Sequence, residues 1–261
     1  MLEPKPRTSL DLTPYTFDYD PRHDPPIASW ADVFGAESPD RPVELEVGCG
    51  KGLFLANEST RRPDVRFLGV EISKKYALRA RERMAKHRLS QVRILAGDAV
   101  ALLGRCLPPR CLQAVHIYFP DPWWKKKHRK RRIFTPWFVG RVAELLQPEG
   151  QLRFASDVAD YFAVMMALTA ASGRFDPLPT PPETIPQHDL DYLTNFERKF
   201  RIEGRPIQRA AWQVRNPEYW TEPRPIDQSE IEKAWRNPAA ERTAKSTNLD
   251  LEVAQGVEGS E

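Results

Sequence analysis

The sequence predicts an α/β fold with a doubly wound, mostly parallel sheet. Three observations carry that expectation. Short apolar runs alternate with stretches of helical periodicity, and a glycine-rich turn joins the first run to the first helical stretch. A chain of 261 residues with 41% hydrophobic and 29% charged side chains also suits one such core flanked by tails.

Residues 1–42 contain eight of the 25 prolines and few periodic apolar patterns, and read as a Pro-rich, acidic, extended or partly disordered arm. A folded domain over 43–222 follows. Within it VELEV (43–47), FLGVEI (67–72), VRIL (92–95), AVHIYF (114–119) and QLRFA (151–155) are strand candidates, each bounded by Gly, Pro or charged turns. LFLANEST after the glycine turn reads as a helix. Ser73 can cap another, with Tyr76, Ala80, Met84 and His87 along one face. Thr135 and Pro136 open a third, whose buried stripe is Trp137, Phe138, Val142, Leu145 and Leu146 before Pro148 and Gly150 end it. PLPTPPETIP (177–186) reads as a loop, and 223–261 as an acidic tail, partly helical and then disordered.

The net charge of +3 hides a segregation: both ends are acidic, and residues 41–221 carry +12. Such a basic body suits a polyanion partner. The longest nearly apolar run, Tyr161 to Ala171, is too short to span a bilayer, and the N-terminus has no apolar signal core, so a cytoplasmic chain without a membrane partner is expected. Three cysteines without CxxC spacing exclude a disulfide framework and a zinc knuckle, and no metal is expected.

Gly48, Gly50 and Gly52 follow the first strand and precede a helix, where glycine lets the backbone approach an anionic or polar ligand. A dinucleotide fingerprint would require glycine at 53, where the chain has Leu53; the spacing favours S-adenosyl-L-methionine instead. Glu71 ends the second strand, where a carboxylate can accept from ribose hydroxyls, and Asp98 follows the third at a natural place to meet adenine. Glu46, a carboxylate within an apolar strand, is either near the ligand or on an edge facing water.

At the fourth strand end, Asp121 stands between Pro120 and Pro122, followed by Trp123 and Trp124, which either stack on a base or cover the core. Seven of the eight residues from Lys125 to Arg132 are Lys or Arg, and beside a reaction centre they imply a nucleic-acid substrate held through its phosphates.

GCGKG preceded by Glu46, GVEI, GDA, FPDPWWKKKHRKRR and the later Thr194-Asn195-Phe196-Glu197 together resemble the bacterial TrmB-type tRNA (guanine-N7-)-methyltransferase family, over roughly residues 43–213. The resemblance implies a class I S-adenosylmethionine-dependent methyltransferase domain that modifies guanine 46 of the tRNA variable loop, with tRNA as partner; the sequence leaves the assembly open between monomer and homodimer. It implies cofactor contacts at Glu46, Gly48, Gly50, Gly52, Glu71, Asp98 and Asp121. It further implies tRNA contacts at Lys125, Lys127, His128, Arg129, Lys130, Arg131, Arg132, Asp157, Thr194, Asn195, Phe196 and Glu197. Trp124, Lys127 and Asn195 depart from residues common in that family.

Guanine N7 offers a free lone pair at neutral pH, so transfer to it needs no general base, and positioning and electrostatics should dominate. Asp121, the expected catalytic residue, either stabilises the cationic product or holds the guanine by its N1 and N2 hydrogens. Asp157 either orients the base or caps the following helix, and Glu197 either orients the base or pairs with neighbouring cations. The alternatives to this function are methyl transfer to another RNA site or exocyclic amine, and a catalytically silent RNA-binding module of the same fold.

Overall fold

The computed structural model of the chain describes residues 10–35, 41–123, 126–180 and 194–225, without the side chains of Lys126, Arg129, Lys130 and Asn195. Eight strands form one sheet: β1 (Thr16–Phe17), β2 (Val43–Val47), β3 (Arg66–Glu71), β4 (Val92–Ala96), β5 (Leu112–Tyr118), β6 (Leu146–Ser156), β7 (Phe175–Leu178) and β8 (Gln208–Val214). Their order is β1-β4-β3-β2-β5-β6-β8-β7, with β8 antiparallel to both its neighbours and the other pairings parallel. The strand order reverses about β2, where the chain leaves β2 between β3 and β5, and in such sheets that point opens a crevice. This is the doubly wound, mostly parallel sheet that the sequence predicts.

Among the described residues seven α-helices connect the strands: α1 (Ala31–Phe34), α2 (Leu53–Arg61), α3 (Lys74–His87), α4 (Ala99–Ala101), α5 (Pro136–Leu145), α6 (Ala159–Ala171) and α7 (Asn195–Ile202). Alternation along the central strands sends side chains to two cores. Val43, Leu45 and Val47 pack with Leu68, Val70, Phe138, Val142 and Tyr161 on one face, while Phe67 and Ile94 join Phe54, Leu55, Ala77, Ala80 and Met84 on the other. Thr135 caps α5, its hydroxyl accepting from the Phe138 amide at 3.1 Å, an interaction worth about 1 kcal/mol.

The five expected strands are β2 to β6: β2 has the expected bounds, β3 to β5 end within two residues of them, and β6 begins five residues earlier. β1, β7 and β8 were not expected: two are short, and Pro177 inside β7 breaks the usual strand signature. The proline-rich arm is partly built into the sheet, since Thr16 and Phe17 pair with Ile94 and Leu95, and Phe17, Ile27, Val33 and Phe34 are buried. Residues 1–9, 36–40, 181–193 and 226–261, including most of the expected loop and tail, lie outside the described residues.

Two helix faces differ from expectation. On α3 the buried residues are Ala77, Ala80 and Met84, while Tyr76 is 44% exposed and His87 faces solvent. Ala80 and Met84 dock on the glycine turn, where a Cβ on Gly52 would lie 3.1 Å from the Ala80 Cβ and 3.0 Å from Met84 Cε. Ser73 makes no side-chain cap bond. On α5, Trp137 is 46% exposed, and the helix stops at Leu145, so Leu146 opens β6.

Candidate active site

The crevice lies at the C-terminal ends of β2 to β5. β2 carries two carboxylates on the same face, two residues apart, and their surroundings separate them. Glu44 receives Arg62 through both guanidinium nitrogens (2.6 and 2.8 Å) and His116 Nε2 at 2.8 Å. Burial opposes its ionisation, but the hydrogen bonds from His116 and Arg62 outweigh it and hold the carboxyl well below the usual range. Glu46, nearer the crevice, is 3% exposed, and its Oε2 has no hydrogen-bond partner among the described residues. Burial, and then the charge of Glu71, push its carboxyl well above the usual range. The edge-strand reading of Glu46 fails because β2 is central, paired with β3 and β5.

The turn after β2 is shaped by left-handed backbone: Gly48 has φ +75°, Gly50 +53° and Gly52 +70°. Added Cβ atoms at Gly48 and Gly50 would meet nothing within 4 Å, so both backbones face open space, whereas Gly52 is packed on α3. Glu71 fastens the turn by accepting from the Gly50 amide at 2.9 Å and from the Ser73 amide at 2.8 Å. A carboxylate has about four acceptor sites, so Glu71 keeps capacity for ligand hydroxyls. Asp98 caps α4 by accepting from the Val100 amide at 2.9 Å, and pairs with Arg22 of the N-terminal arm at 3.2 Å. An open cradle, a buried carboxyl with one oxygen unpartnered among the described residues, and acceptors at successive strand ends fit S-adenosylmethionine, with its sulfonium and ammonium charges and its hydroxyls.

The Asp121 loop follows β5. Phe119 and Trp123, on either side of Pro120-Asp121-Pro122, have φ of +52° and +45°, positions that cost side-chain-bearing residues free energy and persist only when neighbours hold them. Arg132 supplies the hold: it is 6% exposed and donates from Nε to the Pro122 carbonyl at 2.8 Å and from Nη2 to the Trp123 carbonyl at 2.9 Å. Asp121 is accessible to solvent, yet partial desolvation raises its carboxyl above the usual value. Trp123 lies against His128 (ring centroids 5.4 Å apart) and under the Arg131 guanidinium at 5.0 Å.

The basic stretch Lys126–Arg131 winds as a 3-10 helix, with Lys127 and Arg131 exposed. Lys125 and Trp124 lie outside the described residues, as do the side chains of Arg129 and Lys130. The expectation that Arg132 contacts tRNA phosphate is corrected: its guanidinium is turned inward on the Asp121 loop. Sequence reasoning missed this role, because in a run of cations nothing marks the one that is buried.

α7 closes the remaining side. Thr194 caps it, accepting from the Glu197 amide at 3.0 Å. Glu197 is 3% exposed and takes Arg201 Nε at 2.9 Å and Arg209 of β8, so the pairing alternative holds for it. Asp157, at the end of β6, pairs with Arg205 and does not cap α6, whose N-cap is Val158. Phe119 packs on Phe200 (5.4 Å) and Phe196 (6.3 Å), and Phe196 is 52% exposed above this cluster. The aromatic cluster ties α7 to the Asp121 loop, a link invisible in sequence. The side chain of Asn195 is not described. Among the described residues no group of side chains could hold a metal ion, and no helix is long and apolar enough to cross a membrane.

Residues 40–210 match a family described as putative methyltransferase. The chain is 40% identical over 219 residues to the tRNA (guanine-N(7)-)-methyltransferase of Rhodopirellula baltica, covering 81% of this chain and 79% of that protein. It is 35% identical over 213 residues to the protein of the same name from Syntrophotalea carbinolica, covering 80% and 88%. For the one from Myxococcus xanthus the identity is 34% over 187 residues, covering 69% and 86%. With identities of this size across the whole crevice, the chain belongs to the tRNA (guanine-N(7)-)-methyltransferase family.

Proposed function

We propose that this chain transfers a methyl group from S-adenosyl-L-methionine to N7 of guanine 46 in the tRNA variable loop. The observation that carries the reading is the meeting, at adjacent strand ends, of an open glycine cradle with a clamped Asp121 loop that runs directly into a basic helix. The reading assigns catalysis to the domain 43–222 and leaves the acidic tail 223–261 outside it; a tRNA substrate also makes the cytoplasm the expected site of action.

When bound, the cofactor supplies a methyl group activated by its sulfonium. Gly48 and Gly50 would hold it close to the backbone, Glu71 would accept from its ribose and Asp98 from its adenine. Glu46, poorly solvated and without a counter-charge, would receive its cationic end, and ionisation of Glu46 would be favoured by that charge. Asp121, desolvated but facing the crevice, would then meet the guanine either at N1–H and N2–H or through the positive charge that develops on the ring. No residue need remove a proton, so pre-set geometry is what the chain contributes. Lys127, His128 and Arg131 would hold backbone phosphates beside this centre, and the half-exposed Phe196 would offer a face to a base.

The test incubates the protein with unmodified tRNA transcripts and labelled S-adenosylmethionine, then maps label by reduction and aniline cleavage. The expected result is label and cleavage at the variable-loop guanine, lost with Asp121→Asn and with a transcript lacking that guanine. Label without cleavage would overturn the choice of atom, and cleavage elsewhere the choice of position.

A further inference from the structure

We propose that a second site, at the opposite end of the strands from the crevice, binds a phosphate-type oxyanion. A cavity of about 410 Å³ opens there, lined by Arg41, Arg66 and Arg110 together with Ser29, Trp30 and Gln147 among others. Its size falls within the usual range of ligand clefts, about 300–1,000 Å³. Arg41 precedes β2, Arg66 opens β3 and Arg110 precedes β5, so parallel pairing brings all three to the N-terminal edge of the sheet.

Arg66 is the reason to expect an anion. It is 2% exposed, and among the described residues its Nη2 has no hydrogen-bond partner and no carboxylate lines the cavity. The neighbouring half-buried arginines have their charge answered or their guanidinium bonded: Arg62 pairs with Glu44 and Glu58, and Arg93 donates to the carbonyls of Val33, Phe34, Ser90 and Val92. Arg66 has instead the Phe34 ring at 5.1 Å, which it shares with Arg93 at 5.5 Å. Burial, then the like charges of Arg41 and Arg93, push its pKa down, yet a guanidinium stays protonated at neutral pH. A buried guanidinium in the wall of a cavity with two more cations lining it is electrostatically incomplete, and a tetrahedral oxyanion supplies both the charge and the acceptors.

Arg110 adds a second sign. Its φ of +54° places a side-chain-bearing residue in the left-handed region, the kind of local strain that collects at binding sites. Arg41 and Arg110 are both exposed and so can close on a ligand from outside. The site is independent of the methyl-transfer reading, because none of its residues belongs to the crevice.

The experiment uses the full chain and inorganic phosphate as the probe. Thermal unfolding is followed against phosphate at ionic strength held constant with chloride, in the wild type, in Arg41→Ala/Arg110→Ala, and in Lys127→Ala/Arg131→Ala as a control for the basic helix. Phosphate should raise the wild-type Tm by about 2–4 °C at saturation, raise the control equally, and lose most of its effect in the Arg41/Arg110 variant. Tungstate soaked into crystals should give an anomalous peak beside Arg66. Repeating the titration with saturating tRNA separates two sources of the group. A persisting shift identifies a free phosphate ligand, and its disappearance identifies a phosphate of bound RNA; both support the site. Equal stabilisation of the wild type and the Arg41/Arg110 variant, tungstate elsewhere, or a carboxylate of Glu37 or Asp40 seated against Arg66 in the crystal would overturn the proposal.

Discussion

Arg132→Lys distinguishes a residue that holds the active-site loop from one that holds RNA. Lysine keeps the charge but replaces a planar fork with a single ammonium, so it can satisfy one of the two carbonyls that Arg132 now serves, at Pro122 and Trp123. A hydrogen bond from a charged donor contributes about 1.5–3 kcal/mol net, and the Arg132 side chain is almost wholly enclosed, so little of that is lost to solvent screening. The loop is predisposed to move once the hold weakens, because the left-handed backbones at Phe119 and Trp123 relax on release. Removing one bond should therefore lower the fraction of molecules with Asp121 in place by about 10- to 150-fold. The assay is single-turnover methyl transfer at saturating tRNA and cofactor, paired with tRNA binding measured across a range of salt. The expected result is a slower methyl-transfer step with the salt dependence of binding unchanged. An unchanged transfer rate, with the slope of log K against log salt reduced by about 0.9, would refute the clamp and restore Arg132 as a phosphate contact.

Asp121→Asn should reduce kcat by about 10²-fold or more while leaving S-adenosylmethionine affinity, measured by calorimetry, within about threefold. The wild-type rate should fall on acidification through a pKa above the ordinary aspartate range, since desolvation raises that carboxyl, and a profile flat down to pH 4 would count against its role. Gly50→Ala should weaken cofactor binding by about tenfold, because a φ of +53° strains alanine by about 1 kcal/mol and the new methyl projects into the cradle; equal binding would show that the cradle lies elsewhere. Stability should fall with acid in two stages. Burial holds the His116 pKa below its ordinary value, so its contribution is lost as pH drops below about 6.5; Glu44, whose pKa is depressed by His116 and Arg62, adds a second loss below about pH 4.5. Urea midpoints from pH 8 to 4 check this, and a constant midpoint would sink it.

Periodicity and turn chemistry made the central strands and the α2, α3 and α5 helices legible, because each is a local pattern that its neighbours reinforce. The edges of the sheet were not, and the reason is physical. β1 has two residues and β7 carries a proline, so their place in the sheet depends on partners that local sequence cannot name. The stripe on α3 was misjudged for a related reason. Tyr76 looks like a core residue by type, but the face of α3 that meets the glycine turn and the sheet is that of Ala77, Ala80 and Met84, and which face docks belongs to the packing of two elements.

The site divides along the same line. Gly48, Gly50, Glu71, Asp98 and Asp121 were legible because the fold assigns strand ends to the crevice, so position along a strand is enough to place them. Charged residues off the strand ends were not, since sequence records the charge and omits its counterpart. Glu44 and Glu46 are identical in type and two residues apart on one strand, yet Arg62 neutralises the first, with His116 hydrogen-bonded to it, while the Oε2 of the second has no partner among the described residues. Arg132 sits in a row of cations, and Glu197 in a segment rich in them, and both are committed to internal contacts. In this family member, then, a charged residue's role is decided by whether the folded chain has already supplied its opposite. Those lacking one among the described residues, Glu46 in the crevice and Arg66 at the far edge, are where a ligand has most to offer.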